Sequence, residues 1–89
     1  MLAQFEIVLS KQAAKYYQRL PINLARRIDR AFVMLKGNPI SGTNIKLLKN
    51  LSGRYRLRVG DLRVIYQIDK ISKQILISTI LPRGEVYKR

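Results

Sequence analysis

Cysteine and histidine are both missing from the 89-residue sequence. Without them no disulfide can form, and zinc, haem and thiolate chemistry lose their usual ligands, so we expect neither a metal nor a cofactor. No segment reaches the roughly 18 apolar residues of a membrane span, and the first residues, MLAQFEIVLSK, lack the basic start and long apolar run of a secretory signal. These absences predict a cytoplasmic protein with no membrane partner.

Acidic residues are scarce: five Asp and Glu stand against 18 Lys and Arg, giving a formal net charge of +13 and a pI near 10.8. Self-repulsion on this scale lowers stability, so a polyanionic partner is expected. Nucleic acid is the first candidate, an acidic protein the second and anionic lipid the third. The length predicts a single domain over residues 1–89.

Apolar spacing predicts one strand followed by two helices. Residues 3–9 alternate loosely and favour a strand. Ser10 is a good N-cap for a helix over residues 10–20. Pro21 breaks that helix and opens a second one, which runs to about Lys36 and keeps its apolar residues at spacings of three and four.

The second half of the chain changes to a period of two. Residues 40–53 contain Gly and Asn and are predicted to be a loop. Strands over 54–59 and 62–68 are joined by a turn at Gly60-Asp61, and a third strand covers 75–81. The order β-α-α-β-β-β predicts an α+β domain, with a mainly antiparallel sheet packed against a helical hairpin.

A two-residue turn fixes the register of the hairpin and places Arg58 opposite Arg63. Since side chains alternate along a strand, one face of the sheet is predicted to be core, with Tyr55, Leu57, Val59, Leu62, Val64, Tyr66 and Ile68. The other face carries Arg54, Arg56, Arg58 and Arg63, with Ile65 and Gln67 beside them. Like charges opposed across a ladder are unfavourable, and a bound phosphate would relieve the repulsion through guanidinium contacts. The alternative interpretation is a solvated charged face.

Further basic residues flank this hairpin. Lys46 and Lys49 precede it and could extend the patch along a nucleic-acid backbone, although both are also ordinary loop residues. If the strand over 75–81 lies beside 62–68, its end brings the tail, with Arg83, Tyr87, Lys88 and Arg89, toward the arginines. Tyr87 there is either a packing residue or a group that stacks on a base.

Few kinds of catalysis fit this composition. Histidine and thiol mechanisms are excluded, and neither a glycine-rich phosphate loop nor a carboxylate cluster for two-metal hydrolysis is present. Metal-free RNA cleavage remains, in which a 2′-hydroxyl attacks its own phosphate. Arginines would stabilise the pentavalent dianion, and a tyrosine or a basic group would move protons.

The pattern L-x-G-x-Y-R-L-R-V-G-D-L-R-V-I-Y-Q-I-D over residues 51–69, with P-R-G-E-V-Y over 82–87, resembles the RelE/ParE superfamily of toxins from toxin–antitoxin modules. The resemblance covers nearly the whole chain. It implies a ribosome-dependent endoribonuclease that cuts mRNA in the ribosomal A site, and an antitoxin that wraps the domain. By motif, the catalytic residues it implies are Arg56, Arg58, Arg63, Arg83 and Tyr87. The nucleic-acid-binding candidates beside them are Lys46, Lys49, Arg54, Lys88 and Arg89.

Two features bear on the branch of the superfamily. ParE-like members poison DNA gyrase and generally lack the terminal tyrosine, so Tyr87 favours RelE. The familiar RelE pattern has lysines where Arg56 and Arg58 stand, and arginine cannot act as a general base near neutral pH. A ParE-like gyrase inhibitor and a non-catalytic basic RNA-binding module are therefore the alternative functions.

Overall fold

The computed structural model describes residues 4–49 and 53–82. Two helices and five strands follow one another in the order β1 Glu6–Leu9, α1 Lys11–Gln18, α2 Ile22–Gly37, β2 Ile45–Leu47, β3 Arg54–Val59, β4 Leu62–Asp69 and β5 Gln74–Pro82. The predicted α+β class and the helical hairpin are confirmed. No helix in the described part of the chain is long and apolar enough to cross a membrane.

All five strands form one sheet in the order β1-β5-β4-β3-β2. The β2–β3, β3–β4 and β4–β5 pairs are antiparallel, and β1 runs parallel to β5. A parallel pair needs a long crossover, and here the crossover includes the helical hairpin. The mainly antiparallel sheet predicted from the sequence is confirmed.

One strand was not predicted. Residues 40–53 were expected to be a loop, but Ile45–Leu47 pairs with β3 and forms the edge strand on that side of the sheet. Three residues are too few to show a period of two, and the neighbouring Gly42 and Asn44 favour a turn. The correction matters for the site because it places Lys46 in the sheet, opposite Arg56.

The core lies between the helices and one face of the sheet. Ile28, Phe32 and Leu35 point into it from α2, at the spacing expected for a helix with one buried face. The sheet contributes Leu57, Val59, Leu62, Val64, Tyr66, Ile75, Ile77 and Ile80. The face predicted to be core is therefore the buried one, with Tyr55 and Ile68 packed at its margin.

The turn between β3 and β4 depends on Gly60. Its φ of 58° lies in the left-handed region, where a side chain is unfavourable. A Cβ atom at this position would also lie 2.9 Å from Nη1 of Arg27. The turn thus fixes the hairpin register and brings an α2 guanidinium against its tip.

The strand β5 contains an irregularity that the sequence did not reveal. Ile65 pairs with Thr79, but the adjacent Tyr66 pairs with Ile77, so Ser78 is an extra residue. A bulge of this kind reverses the alternation, and Ile80 therefore returns to the core. The apolar run in this strand hides the reversal.

Two polar side chains at the start of α1, those of the N-cap Ser10 and of Gln12, hold β5 where β1 ends. The hydroxyl of Ser10 accepts a hydrogen bond from the Ala13 amide, as the predicted N-cap does, and donates to the Ser78 carbonyl at 2.7 Å. The amide side chain of Gln12 donates to the Ile80 carbonyl at 3.1 Å and accepts from the Ile80 amide at 3.0 Å. The two hydrogen bonds of Gln12 thus replace those that a further residue of β1 would make to β5.

Candidate nucleic-acid interface

Three arginines lie on the sheet face that points away from the helices. Arg58 pairs directly with Arg63, as the sequence predicted, and Arg56 pairs with Ile65. The Cβ atoms of directly opposed residues are about 5 Å apart, and those of diagonal neighbours about 7–8 Å. Arg56, Arg58 and Arg63 therefore start from a compact triangle, from which their long side chains can reach one phosphate.

Two more basic residues extend this triangle across the sheet. Lys46 is the register partner of Arg56, and Arg54 pairs with the neutral Gln67. We call the set the basic face: it consists of Lys46, Arg54, Arg56, Arg58 and Arg63. Lys49, also predicted to bind nucleic acid, is exposed in the connection after β2 and lies outside this set.

The basic face has an apolar floor whose burial was not predicted from the sequence. Ile65 is only 2% exposed, yet it is not part of the core cluster between sheet and helices. It lies in register between Arg56 and Thr79, while the half-buried Leu81 lies opposite Arg63. An apolar floor excludes water and strengthens ionic contacts above it. Its only sequence signal was an isoleucine among polar residues of the same alternation.

The Arg56 guanidinium is the most constrained of the group. Burial lowers its pKa, and the positive charges of Arg58 and then Arg63 lower it further. Its Nε atom is buried and has no hydrogen-bond partner among the described residues. Leaving a buried donor unpaired is costly. A bound anion would supply an acceptor and offset the mutual repulsion.

Two acids of the described chain are engaged elsewhere. Asp69, at the end of β4, accepts hydrogen bonds from the amides of Ile71 and Ser72, and these bonds lower the pKa of its carboxyl group. Asp29 accepts a 2.6 Å hydrogen bond from the Tyr17 hydroxyl on the helical side. Neither carboxylate is among the groups that shift the pKa of Arg56.

The four C-terminal candidates, Arg83, Tyr87, Lys88 and Arg89, lie outside the described residues. In the described part of the chain, β5 ends with Leu81 opposite Arg63 and Pro82 opposite Leu62. β5 therefore lies beside β4, which is the condition on which the position of the tail was predicted. The approach of the tail to the basic face stays a prediction.

This architecture matches known proteins over most of the chain. The family model described as the ParE toxin of the type II toxin–antitoxin system parDE matches residues 7–87. A Methanocaldococcus jannaschii protein, named as a candidate toxin RelE1, is 31% identical over 87 residues, which cover 96% of this chain and 97% of the relative.

Solved structures agree with these sequence matches. The archaeal RelE–RelB complex from Pyrococcus horikoshii superposes with a TM-score of 0.78 at 30% identity, covering 92% of this chain and 98% of that one. The intact E. coli RelBE toxin–antitoxin complex gives 0.76 at 17% identity, with 92% and 99% covered. The second likeness is one of fold alone. Together with the family model, these matches show that the chain belongs to the RelE/ParE family of toxins from type II toxin–antitoxin systems.

Proposed function

We propose that this toxin is a ribosome-dependent endoribonuclease that cuts mRNA in the A site and so inhibits translation. The observation that carries the proposal is the register of β3 and β4, which holds Arg56, Arg58 and Arg63 on one face of the sheet. A rigid sheet can hold guanidinium groups in place before the substrate arrives. Such preorganised charge is often the largest single contribution to catalysis.

The proposed reaction needs no metal. The 2′-oxygen of one nucleotide attacks the adjacent phosphorus, a P–O2′ bond forms, and the P–O5′ bond breaks. The products are a 2′,3′-cyclic phosphate and a 5′-hydroxyl, because the departing oxygen takes up a proton. The pentavalent intermediate carries two negative charges, and guanidinium groups of Arg56, Arg58 and Arg63 would stabilise them by bidentate hydrogen bonds.

The proton of the 2′-hydroxyl requires a separate acceptor. Arginine stays protonated near neutral pH, so Arg56 and Arg58 cannot act as the base. We assign the transfer to Tyr87 or to a ribosomal group in contact with the message, and leaving-group stabilisation to Arg83. Cleavage would then depend on the ribosome, because the toxin supplies stabilising positive charge more readily than it supplies a general base.

A cognate antitoxin and a cytoplasmic location complete the proposal. The P. horikoshii and E. coli structures are complexes of a toxin with its antitoxin. A chain with a net charge of +13 suits an acidic partner that neutralises it.

One observation favours a second candidate function, inhibition of DNA gyrase. The matching family model is the one described for ParE. Gyrase inhibition would need a protein-binding surface and no cleavage chemistry. The basic face favours the nuclease, because the Nε atom of Arg56 has no hydrogen-bond partner in the part of the chain that the structure describes.

Mapping mRNA 5′ ends after induction of the toxin in growing cells tests these functions. We expect cuts at fixed positions within codons, lost in Arg63→Ala and kept in Arg26→Ala, an exposed arginine on α2 outside the basic face. Uncut message with trapped gyrase–DNA complexes would establish the second candidate instead. Uncut message without gyrase complexes, but with RNA bound, would leave a non-catalytic RNA-binding module.

A further inference from the structure

The side of the sheet that carries the basic face continues past it as an uncharged surface. Along β4, Gln67 follows Arg63 and Ile65 on this side. It pairs with Leu76 of β5, and Leu76 in turn pairs with Val8 of β1. Neither Leu76 nor Val8 belongs to the core cluster, and Val8 is 40% exposed. The outer side of the sheet is thus divided into a cationic half on β2–β4 and an apolar half on β5 and β1.

Gln67 lies at the boundary between these two halves. It is half-buried and stands opposite Arg54 of β3. Neither its amide oxygen nor its amide nitrogen forms a hydrogen bond within residues 4–49 and 53–82. The side chain therefore presents an acceptor and two donors to a ligand on the outer side of the sheet.

The spacing between the arginines and Gln67 fits a single nucleotide. Because Gln67 pairs directly with Arg54, Arg56 is its diagonal neighbour, and the Cβ atoms of diagonal neighbours are about 7–8 Å apart. A phosphate held by Arg56 therefore has the adjoining sugar and base within reach of the Gln67 amide. On its other side, Leu76 offers an aliphatic surface to the flat face of that base.

We propose that Gln67 and Leu76 form a subsite for the base next to the cleaved phosphate, and that Gln67 selects adenine there. The inference rests on the proposed nuclease function and names the base that the site prefers. A glutamine amide matches adenine, because it donates to N7 and accepts from the N6 amino group. In single-stranded RNA this edge of the base is free. Guanine has two acceptors on the same edge, so the Gln67 oxygen would face a lone pair.

Arg54 is the competing reader of a base at this position. A guanidinium donates to both acceptors of guanine and would favour that base. Arg54 shares its strand and face with Arg56 and Arg58, where the phosphates of the message are expected to lie. Gln67 instead adjoins the apolar half, where Leu76 shields a base from water. The geometry thus favours the amide as the group that reads the base.

The test uses full-length toxin and ribosomes carrying mRNAs that differ only in the A-site nucleotide beside the cut. We expect kcat/KM of the wild type to be at least about 5-fold higher for adenine than for each other base, as one bidentate base contact allows. Gln67→Leu removes the amide at similar size and should treat all four messages within about 2-fold of one another. Structural damage alone would lower all four values together and leave their ratios unchanged.

Gln74→Leu is the matched control for this substitution. Gln74 is a half-buried glutamine on the same side of the sheet, but it pairs with Asp69 and so lies one alternation farther from the arginines. Its variant should keep the preference of the wild type for adenine.

Affinity for short RNA gives a readout that does not need cleavage. Fluorescence anisotropy compares free toxin bound to oligouridine with toxin bound to the same strand carrying one adenine. We expect the adenine to tighten binding at least about 5-fold in the wild type and in Gln74→Leu, and to have no effect in Gln67→Leu. Circular dichroism checks that each variant is folded, and Gln67→Met replaces Gln67→Leu if the latter is not.

The outcomes separate the two proposals. Preference for a base other than adenine would overturn the subsite, as would an adenine preference that survives in Gln67→Leu or is lost equally in Gln74→Leu. If no message is cut while the affinity pattern holds, the nuclease proposal fails and the base subsite remains. Cleavage of all four messages at equal rates by the wild type gives the reverse result.

Discussion

Arg58 and Arg63 occupy directly opposed positions of a hairpin, where attractive pairs would stabilise the ladder. Replacing one member should therefore make the free protein more stable. We predict that Arg63→Thr raises the free energy of unfolding by about 0.5 kcal/mol in low-salt urea titrations, because a like-charge pair is removed. The same variant should lose mRNA cleavage. Arg63 would then be a residue whose function opposes stability.

Arg54→Thr is the matched control. It is the same substitution on the same face of the sheet, but Arg54 pairs with the neutral Gln67. Its stability should change less than that of Arg63→Thr. Added salt should reduce the difference between the two variants, because screening weakens the repulsion. Equal stability changes that do not depend on salt would show that the opposed charges are not the cause.

The buried hydroxyl of Tyr66 provides a second residue-scale prediction. It donates a 2.7 Å hydrogen bond to the Pro39 carbonyl, and the ring stacks on Tyr55 at 5.5 Å. Burial, and then Tyr55, raise the pKa of Tyr66 above its ordinary value of 10.0. The phenol thus stays neutral in the folded chain at a pH where it ionises in the unfolded chain. Its contribution to stability is complete below about pH 10 and declines as the pH rises further.

We predict two effects of Tyr66→Phe in denaturation curves measured from pH 7 to 11. At neutral pH the variant should be about 1–3 kcal/mol less stable, because the buried Pro39 carbonyl loses its donor. Above pH 10 its stability should fall less steeply than that of the wild type. Tyr17, whose pKa is raised mainly by its hydrogen bond to Asp29, is present in both proteins and cancels in the difference. Parallel curves would contradict the linkage argument.

At the scale of elements, the hairpin was the part most open to prediction. Strict alternation over 54–59 and 62–68, with Gly60 at the turn, determined both strands and their register. Helices followed from apolar spacing, the Ser10 cap and Pro21. The strand β2 could not be predicted, because three residues carry no measurable period. The Ser78 bulge could not be predicted either, since nearly every neighbouring side chain in β5 is apolar.

The junction between α1 and β5 is the element-scale feature with the sharpest test. Gln12 makes two hydrogen bonds to the Ile80 backbone beyond the last β1 pair, which joins Leu9 to Ile77. We predict that Gln12→Ala lowers the free energy of unfolding by about 1 kcal/mol or more, because both Ile80 groups lose partners. Amide hydrogen exchange at Ile80 should accelerate selectively.

Gln18→Ala is the control for this junction, since Gln18 is an exposed residue of the same helix. It repeats the change in helix propensity without touching β5. Its stability and its Ile80 exchange rate should match those of the wild type. If both variants behave alike, Gln12 does not take the place of a ladder residue, and β5 must be held at this end by other contacts.

At the scale of the whole molecule, features set by residues close together in sequence could be predicted, and features set by packing between distant elements could not. Arg56, Arg58 and Arg63 are placed by one hairpin, so alternation sufficed to bring them together. The buried position of Ile65 depends on packing between elements that are distant in sequence, so no local pattern encodes it. The roles of Arg83 and Tyr87 rest on the family resemblance.

The excess positive charge of the whole chain gives a final prediction, on salt dependence. If the basic face binds the RNA backbone, the logarithm of the binding constant for a short single-stranded RNA should fall linearly with the logarithm of salt concentration, by about 0.7 per phosphate contacted. Lys46→Gln and Arg63→Gln should each reduce this slope by about 0.7. Arg26→Gln, on exposed α2, removes the same charge from the molecule and should leave the slope unchanged. Equal slope changes in all three variants would mean that RNA responds to net charge alone, and that the basic face is not a specific binding surface.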